Sequence, residues 1–181
     1  MLIGGKGTRL RPLTYMVSYM VPKAMVTLRN KPYIQYMVDF LRAARLEGAV
    51  LAMGYLPHPI RQHFAEQGLS GFTLEYVVEC SPLGTAGGIK NAQEHLGGGE
   101  GPFVVTNGDV LTGLDLAEVI EAHQGSDALA RITSLRISRS WAKGDATARV
   151  TFGVIRTGEL GKMPLALARH PVARFGNSCT L

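Results

Sequence analysis

Only two cysteines occur in the 181 residues, Cys80 and Cys179. They are too few for a disulfide framework and lack the spacing of a metal site. No apolar run approaches the roughly 18 residues that a membrane-crossing helix needs. The start has no basic stretch leading into a long apolar one, so no secretory leader is read there. The five histidines, His58, His63, His95, His123 and His170, are scattered and read as packing or surface residues. What these absences leave is a soluble chain in a reducing cytoplasm, with no membrane partner. At 46% apolar and 18% charged residues it is long enough to bury a real core.

Charge is unevenly placed. Residues 1–127 hold 10 Lys and Arg against 12 Asp and Glu, whereas residues 128–181 hold nine basic residues against Asp145 and Glu159 alone. The net +5 of the whole chain therefore comes from its last third. A nucleic-acid-binding tail is one reading of that; an irregular basic terminus is the preferred one.

Gly4 to Thr14 reads GGKGTRLRPLT, directly after the apolar Met1, Leu2 and Ile3. Glycines let a backbone approach a ligand closely, and successive N–H groups make an anion-binding concavity. Arginine adds a fork that matches phosphate oxygens. Two familiar phosphate motifs are excluded. A P-loop needs its lysine after the last glycine, and here the lysine precedes it. A dinucleotide fingerprint needs a third glycine where this chain has Leu10.

Further along, Ala24 to Leu28 reads as a short strand, and Pro32 opens a helix with Ile34, Met37, Val38 and Leu41 on one face. Ala49–Met53 reads as a buried strand, Pro59–Gln67 as a helix, Phe72–Val78 as a strand and Ala86–Leu96 as a helix. Phe103–Thr106 reads as a strand running into Asn107, Gly108 and Asp109. Leu114–His123 reads as an amphipathic helix, and Ala128–Ile137 and Ala148–Arg156 as strands. Alternating strands and helices predict a Rossmann-like α/β fold, a mostly parallel sheet with helices on both faces. Ligands of such sheets bind outside the carboxyl ends of the strands. The glycine loop and Asp109 both fall there. Basic side chains with a carboxylate suited to Mg²⁺ are parts that handle a nucleoside triphosphate. A second glycine-rich turn, Glu79 to Gly88, reads ECSPLGTAGG and could present backbone to a base and ribose.

With GGKGTRLRPLT, PKAM, SPLGTAGG and TNGDVL in this order, the chain resembles the sugar-1-phosphate nucleotidyltransferases, the nucleotide-sugar pyrophosphorylases. Within them it looks most like the mannose-1-phosphate guanylyltransferases. The resemblance covers about residues 1–135, taken as the nucleotide-binding core, with 136–181 a partial or irregular basic segment. It implies transfer of a nucleotidyl group from an NTP, expected to be GTP, to a sugar 1-phosphate, expected to be mannose 1-phosphate, with release of pyrophosphate. Arg9, Lys23 and Asp109 are then the expected catalytic residues. Gly4, Gly5, Gly7, Thr8, Glu79, Gly84, Thr85 and Asn107 are expected to bind nucleotide. Gly153 is expected to face the sugar, and Asp109 to hold Mg²⁺. A homo-oligomer is compatible with the reading.

Four departures from the family pattern temper it. The first strand is short. Tyr15–Ser18 followed by Tyr19–Pro22 is a near tandem repeat that lengthens the path from Arg9 to Lys23. The motif P-K-P is P-K-A here. The family's second half is not recognisable in residues 136–181, so the fold is expected to be truncated C-terminally. The alternative reading is therefore a non-catalytic or truncated relative that binds nucleotide or nucleotide-sugar as a regulatory module.

Overall fold

The computed structural model describes residues 1–5, 7–14, 20–96, 101–137 and 148–156. Lys6, residues 15–19 of the tandem repeat, and the basic tail beyond Arg156 with Cys179 lie outside the described residues.

The described elements run β1 (Leu2–Ile3), β2 (Thr27–Leu28), β3 (Lys31–Pro32), α1 (Tyr33–Ala43), β4 (Gly48–Met53), α2 (Pro57–Gln67), β5 (Thr73–Val78), α3 (Gly84–Asn91), β6 (Pro102–Thr106), α4 (Leu116–Gln124), β7 (Ala130–Ile137) and β8 (Ala148–Arg156). β1 pairs in parallel with β4, and β4 with β5. A single parallel bridge, Leu2 to Asn107, joins β1 to the end of β6. β8 lies antiparallel between β6 and β7. Across the order β5-β4-β1-β6-β8-β7, every described strand but β8 points the same way, which is the mostly parallel sheet expected.

The sheet is covered on both faces because β4 is apolar on both. Leu51 and Met53 join Ile34, Val38 and Leu41 of α1, Ile60 and Phe64 of α2, and Leu116 of α4 in the main core. Val50, one residue out of phase, packs instead with Val77 and Ala92 beside α3. A side-chain period of two along a strand makes that division automatic. In α1, Ile34, Met37, Val38 and Leu41 are each no more than 3% exposed. Full burial of such side chains contributes about 1.5–3 kcal/mol apiece, so this face alone fixes the helix against the sheet. Pro57 sits in the first turn of α2, where its missing N–H costs nothing. The Asp115 carboxylate caps α4 by accepting from the N–H groups of Ala117 (3.0 Å) and Glu118 (3.3 Å).

Two expected elements differ in form. The strand read over Ala24–Leu28 is a 3-10 turn at Lys23–Met25 followed by the short hairpin β2–β3. Arg29 and Asn30 both take positive φ between its arms, the two-residue turn that suits a twisted hairpin. The helix read over Ala86–Leu96 stops at Asn91 and continues as a 3-10 turn at Gln93–His95. No helix among the described residues is long and apolar enough to cross a membrane.

Candidate active site

A cleft of about 580 Å³ opens at the carboxyl ends of β1, β4, β5 and β6. That is within the roughly 300–1,000 Å³ usual for ligand sites. Each strand delivers its own segment to it. Gly4 and Gly5 follow β1, Gly54 and Tyr55 follow β4, Glu79 to Pro82 follow β5, and Asn107 to Asp109 follow β6. Lys23 and Ala24 close one side, and Gly84 and Thr85 at the start of α3 another. Of the residues expected from sequence, Gly4, Gly5, Lys23, Glu79, Gly84, Thr85, Asn107 and Asp109 line this volume. Gly7, Thr8, Arg9 and Gly153 do not.

Gly7 acts from behind. Its φ of 63° is in the left-handed region, and a Cβ there would stand 2.9 Å from Thr14 Cγ2 and 3.0 Å from Lys23 Cβ. Only glycine lets the loop lie flat against the residue that carries the lysine. The Gly7 carbonyl accepts from Thr14 Oγ1 (2.9 Å) and from the Leu10 N–H (3.0 Å). Thr14, 5% exposed, in turn accepts at its carbonyl from the Val21 N–H at 3.4 Å. The chain therefore leaves and rejoins the loop at neighbouring points, whatever lies between, and Lys23 follows directly. Its Nζ donates to Asp109 Oδ2, across 86 residues of sequence. The repeat does not carry Lys23 away from Asp109. Thr8 and Arg9 start a short 3-10 turn and are exposed outside the cleft. Gly153 lies within β8, opposite Val105 of β6 and Ile132 of β7.

Asp109 is positioned by its neighbour. Gly108 donates its N–H to Leu2 O at 2.9 Å, and a Cβ on it would stand 2.9 Å from Ile3 Cγ1. The glycine lets the loop after β6 press against β1, which brings the next carboxylate over the cleft. Glu79 is held on the opposite side. Its Oε2 accepts from the Leu83 N–H at 3.3 Å, and its Oε1 occupies the space that a side chain on Gly88 would fill. Burial raises the Glu79 carboxyl above the usual carboxylate range, and the Leu83 hydrogen bond partly offsets this.

These groups fit a hard divalent cation of the Mg²⁺ type. Mg²⁺ takes one or two carboxylates and completes its shell with phosphate oxygens and water. Among the described residues no cluster of three or more His, Cys, Asp or Glu would hold a metal by protein groups alone. A carboxylate already drawing a cationic ammonium into the cleft is the donor such an ion needs.

Tyr55 was not anticipated. Its hydroxyl donates to Met20 Sδ at 2.8 Å, tying the end of β4 to the segment that leads into Lys23. No motif marks it. The apolar run of β4 stopped by Gly54 was the available signal, since residues just past a parallel strand are cleft candidates.

An α/β fold with a ligand-sized cleft at the carboxyl ends of its parallel strands is the class that these observations define. The chain belongs to the nucleotidyl transferase family, whose model matches residues 1–166. It is 36% identical over 158 residues to a mannose-1-phosphate guanylyltransferase of Mycobacterium tuberculosis, covering 87% of this chain and 40% of that protein. To a mannose-1-phosphate guanyltransferase of Yarrowia lipolytica it is 39% identical over 137 residues, covering 75% of this chain and 37% of that one. The chain thus spans about 40% of the length of these curated relatives. Among solved structures, HddC from Yersinia pseudotuberculosis complexed with GMP-PN superposes with a TM-score of 0.70 at 23% identity, over 90% of this chain and 78% of that one. The UTP-bound UGPase from Acinetobacter baumannii gives 0.62 at 17% identity, over 88% and 74%. The structural likeness concerns the fold.

Proposed function

We propose that this chain carries the nucleoside-triphosphate site of a sugar-1-phosphate nucleotidyltransferase, with GTP as donor and mannose 1-phosphate as acceptor. The observation that carries the reading is the meeting of Lys23 and Asp109 in one cleft with the glycine loop at the strand ends. The choice of GTP and mannose 1-phosphate is supported by the names of the relatives.

In this reading the sugar phosphate oxygen attacks the α-phosphorus, and the bond to pyrophosphate breaks. The chain's task is to position the phosphates and to offset charge that grows on the leaving group. The backbone at Gly4 and Gly5 receives the triphosphate, and Lys23 contacts the phosphates at the reacting centre. Asp109 would hold Mg²⁺, which when bound supplies charge neutralisation and a template for the phosphate oxygens. Glu79, Gly84 and Thr85 take the base and ribose. Arg9, exposed beside the loop, would reach the departing phosphates by turning its side chain inward. A cytoplasmic location belongs to the same proposal.

The test is Asp109→Asn. Binding of GTP is measured by calorimetry with Mg²⁺ and with EDTA. The variant is expected to lose the Mg²⁺-dependent gain, while its EDTA-state affinity stays at or above that of the unaltered chain because the amide no longer competes as a charge for Lys23. An unchanged Mg²⁺ dependence contradicts the assignment of Asp109. One observation favours a second reading, in which the chain binds nucleotide without turnover as a regulatory module: Arg9 stands outside the cleft. Pyrophosphate release on adding mannose 1-phosphate to the GTP-loaded chain separates the two.

A further inference from the structure

We propose that Lys23 and Asp109 lock each other in the unloaded cleft, so that a divalent metal gains full access to Asp109 only after a triphosphate has drawn Lys23 away. The inference rests on the nucleotide reading above and adds an order of events to it.

The two residues arrive on rigid supports. Lys23 opens a 3-10 turn whose Met25 N–H donates to Pro22 O at 2.8 Å, and its Cβ lies against Gly7. Asp109 follows Gly108, which is pinned to β1 by the hydrogen bond to Leu2 O. The backbones cannot part without breaking these contacts. The side chains can, since both are solvent-accessible, at 35% for Lys23 and 42% for Asp109. Separation needs only a change of rotamer.

With the pair formed, the ammonium occupies part of the space a metal would take at the carboxylate and repels an incoming dication. A triphosphate carries several negative charges where Asp109 carries one, so it outcompetes Asp109 for Lys23 and leaves the carboxylate to the metal. Metal and triphosphate then bind with positive coupling, and by linkage each raises the affinity of the other by the same factor. An ion pair this exposed changes an equilibrium by up to about fivefold. That sets the size of the effect attributable to Lys23, over and above direct attraction between metal and phosphate.

The experiment measures Mn²⁺ binding by electron paramagnetic resonance in the 181-residue chain and in Lys23→Met and Lys23→Arg, with and without inorganic tripolyphosphate. In its absence, Lys23→Met is expected to bind Mn²⁺ about three- to fivefold more tightly than the unaltered chain, and Lys23→Arg equally weakly. With saturating tripolyphosphate the advantage of Lys23→Met disappears. Circular dichroism checks folding, and Lys23→Gln, which keeps a polar end, takes the place of Lys23→Met if that variant does not fold. Unchanged Mn²⁺ affinity in a folded Lys23→Met or Lys23→Gln overturns the lock. Failure of the nucleotide reading is visible separately, as an absence of GTP binding with Mg²⁺ present whatever Mn²⁺ does alone.

Discussion

Glu79 leaves β5 with its carboxyl enclosed by Gly88 and the Leu83 N–H, and burial raises its pKa. A carboxyl whose folded-state pKa lies above its unfolded value stabilises the fold fully only below the unfolded pKa. That contribution is lost as pH rises through the folded one. In its ionised form Glu79 is therefore a burden on the fold, kept where a nucleotide base is expected. Glu79→Gln retains an oxygen for the Leu83 N–H and removes the charge. Its thermal midpoint at pH 7 should equal or exceed that of the unaltered chain, while GTP affinity falls. A lowered midpoint with unchanged GTP affinity makes Glu79 a structural residue. That Lys23, Asp109 and Glu79 come together at one cleft was legible from their motif positions. That Arg9 is exposed and absent from the cleft lining was not, because a motif fixes where a side chain begins and says nothing of where a long one points.

At the scale of elements, a polar chain ties the β2–β3 hairpin to two helices. Lys31 of β3 pairs with Asp39 of α1, and Gln35 Nε2 donates to Asp39 Oδ1 at 3.0 Å. The Gln35 oxygen then faces His63 Nε2 of α2 at 2.9 Å, so that nitrogen carries the donated hydrogen. Burial lowers the His63 pKa, with Glu66 acting the other way. A histidine whose folded pKa is depressed contributes stability above its unfolded pKa, near 6.5, which is lost as pH falls through the folded value. Denaturant titrations at pH 7.5 and pH 5.5 should show a loss of stability on acidification, and His63→Gln should reduce it. An equal acid loss in the variant means His63 is not the group responsible. The helices themselves were readable because α1 places its apolar residues three and four apart, and β4 because it is apolar throughout. The hairpin was missed because positive φ at Arg29 and Asn30 leaves little trace in composition, and because the apolar Ala24 and Met25 suggest a strand. His63 was read as scattered, since its partners come from two other elements.

Across the whole molecule, β5-β4-β1 and β6-β8-β7 form two half-sheets joined by the Leu2–Asn107 bridge and the Gly108 hydrogen bond to Leu2. The cleft straddles that seam, so fold and site share one junction. Gly108→Ala would put a methyl group 2.9 Å from Ile3 Cγ1 and 3.3 Å from Leu2 O. Overpacking of this kind costs about 1–3 kcal/mol. Because the displaced group adjoins Asp109, the Mg²⁺-dependent part of GTP binding should fall with the thermal midpoint; loss of one without the other separates seam from site. Calorimetric titration of the chain with GTP, dTTP, UTP and ATP in Mg²⁺ tests the proposal that this junction holds a guanine nucleotide with its metal. GTP is expected to bind most tightly, and EDTA to weaken it. Tighter binding of dTTP or UTP contradicts the choice of nucleotide, and no binding of any triphosphate contradicts the site itself.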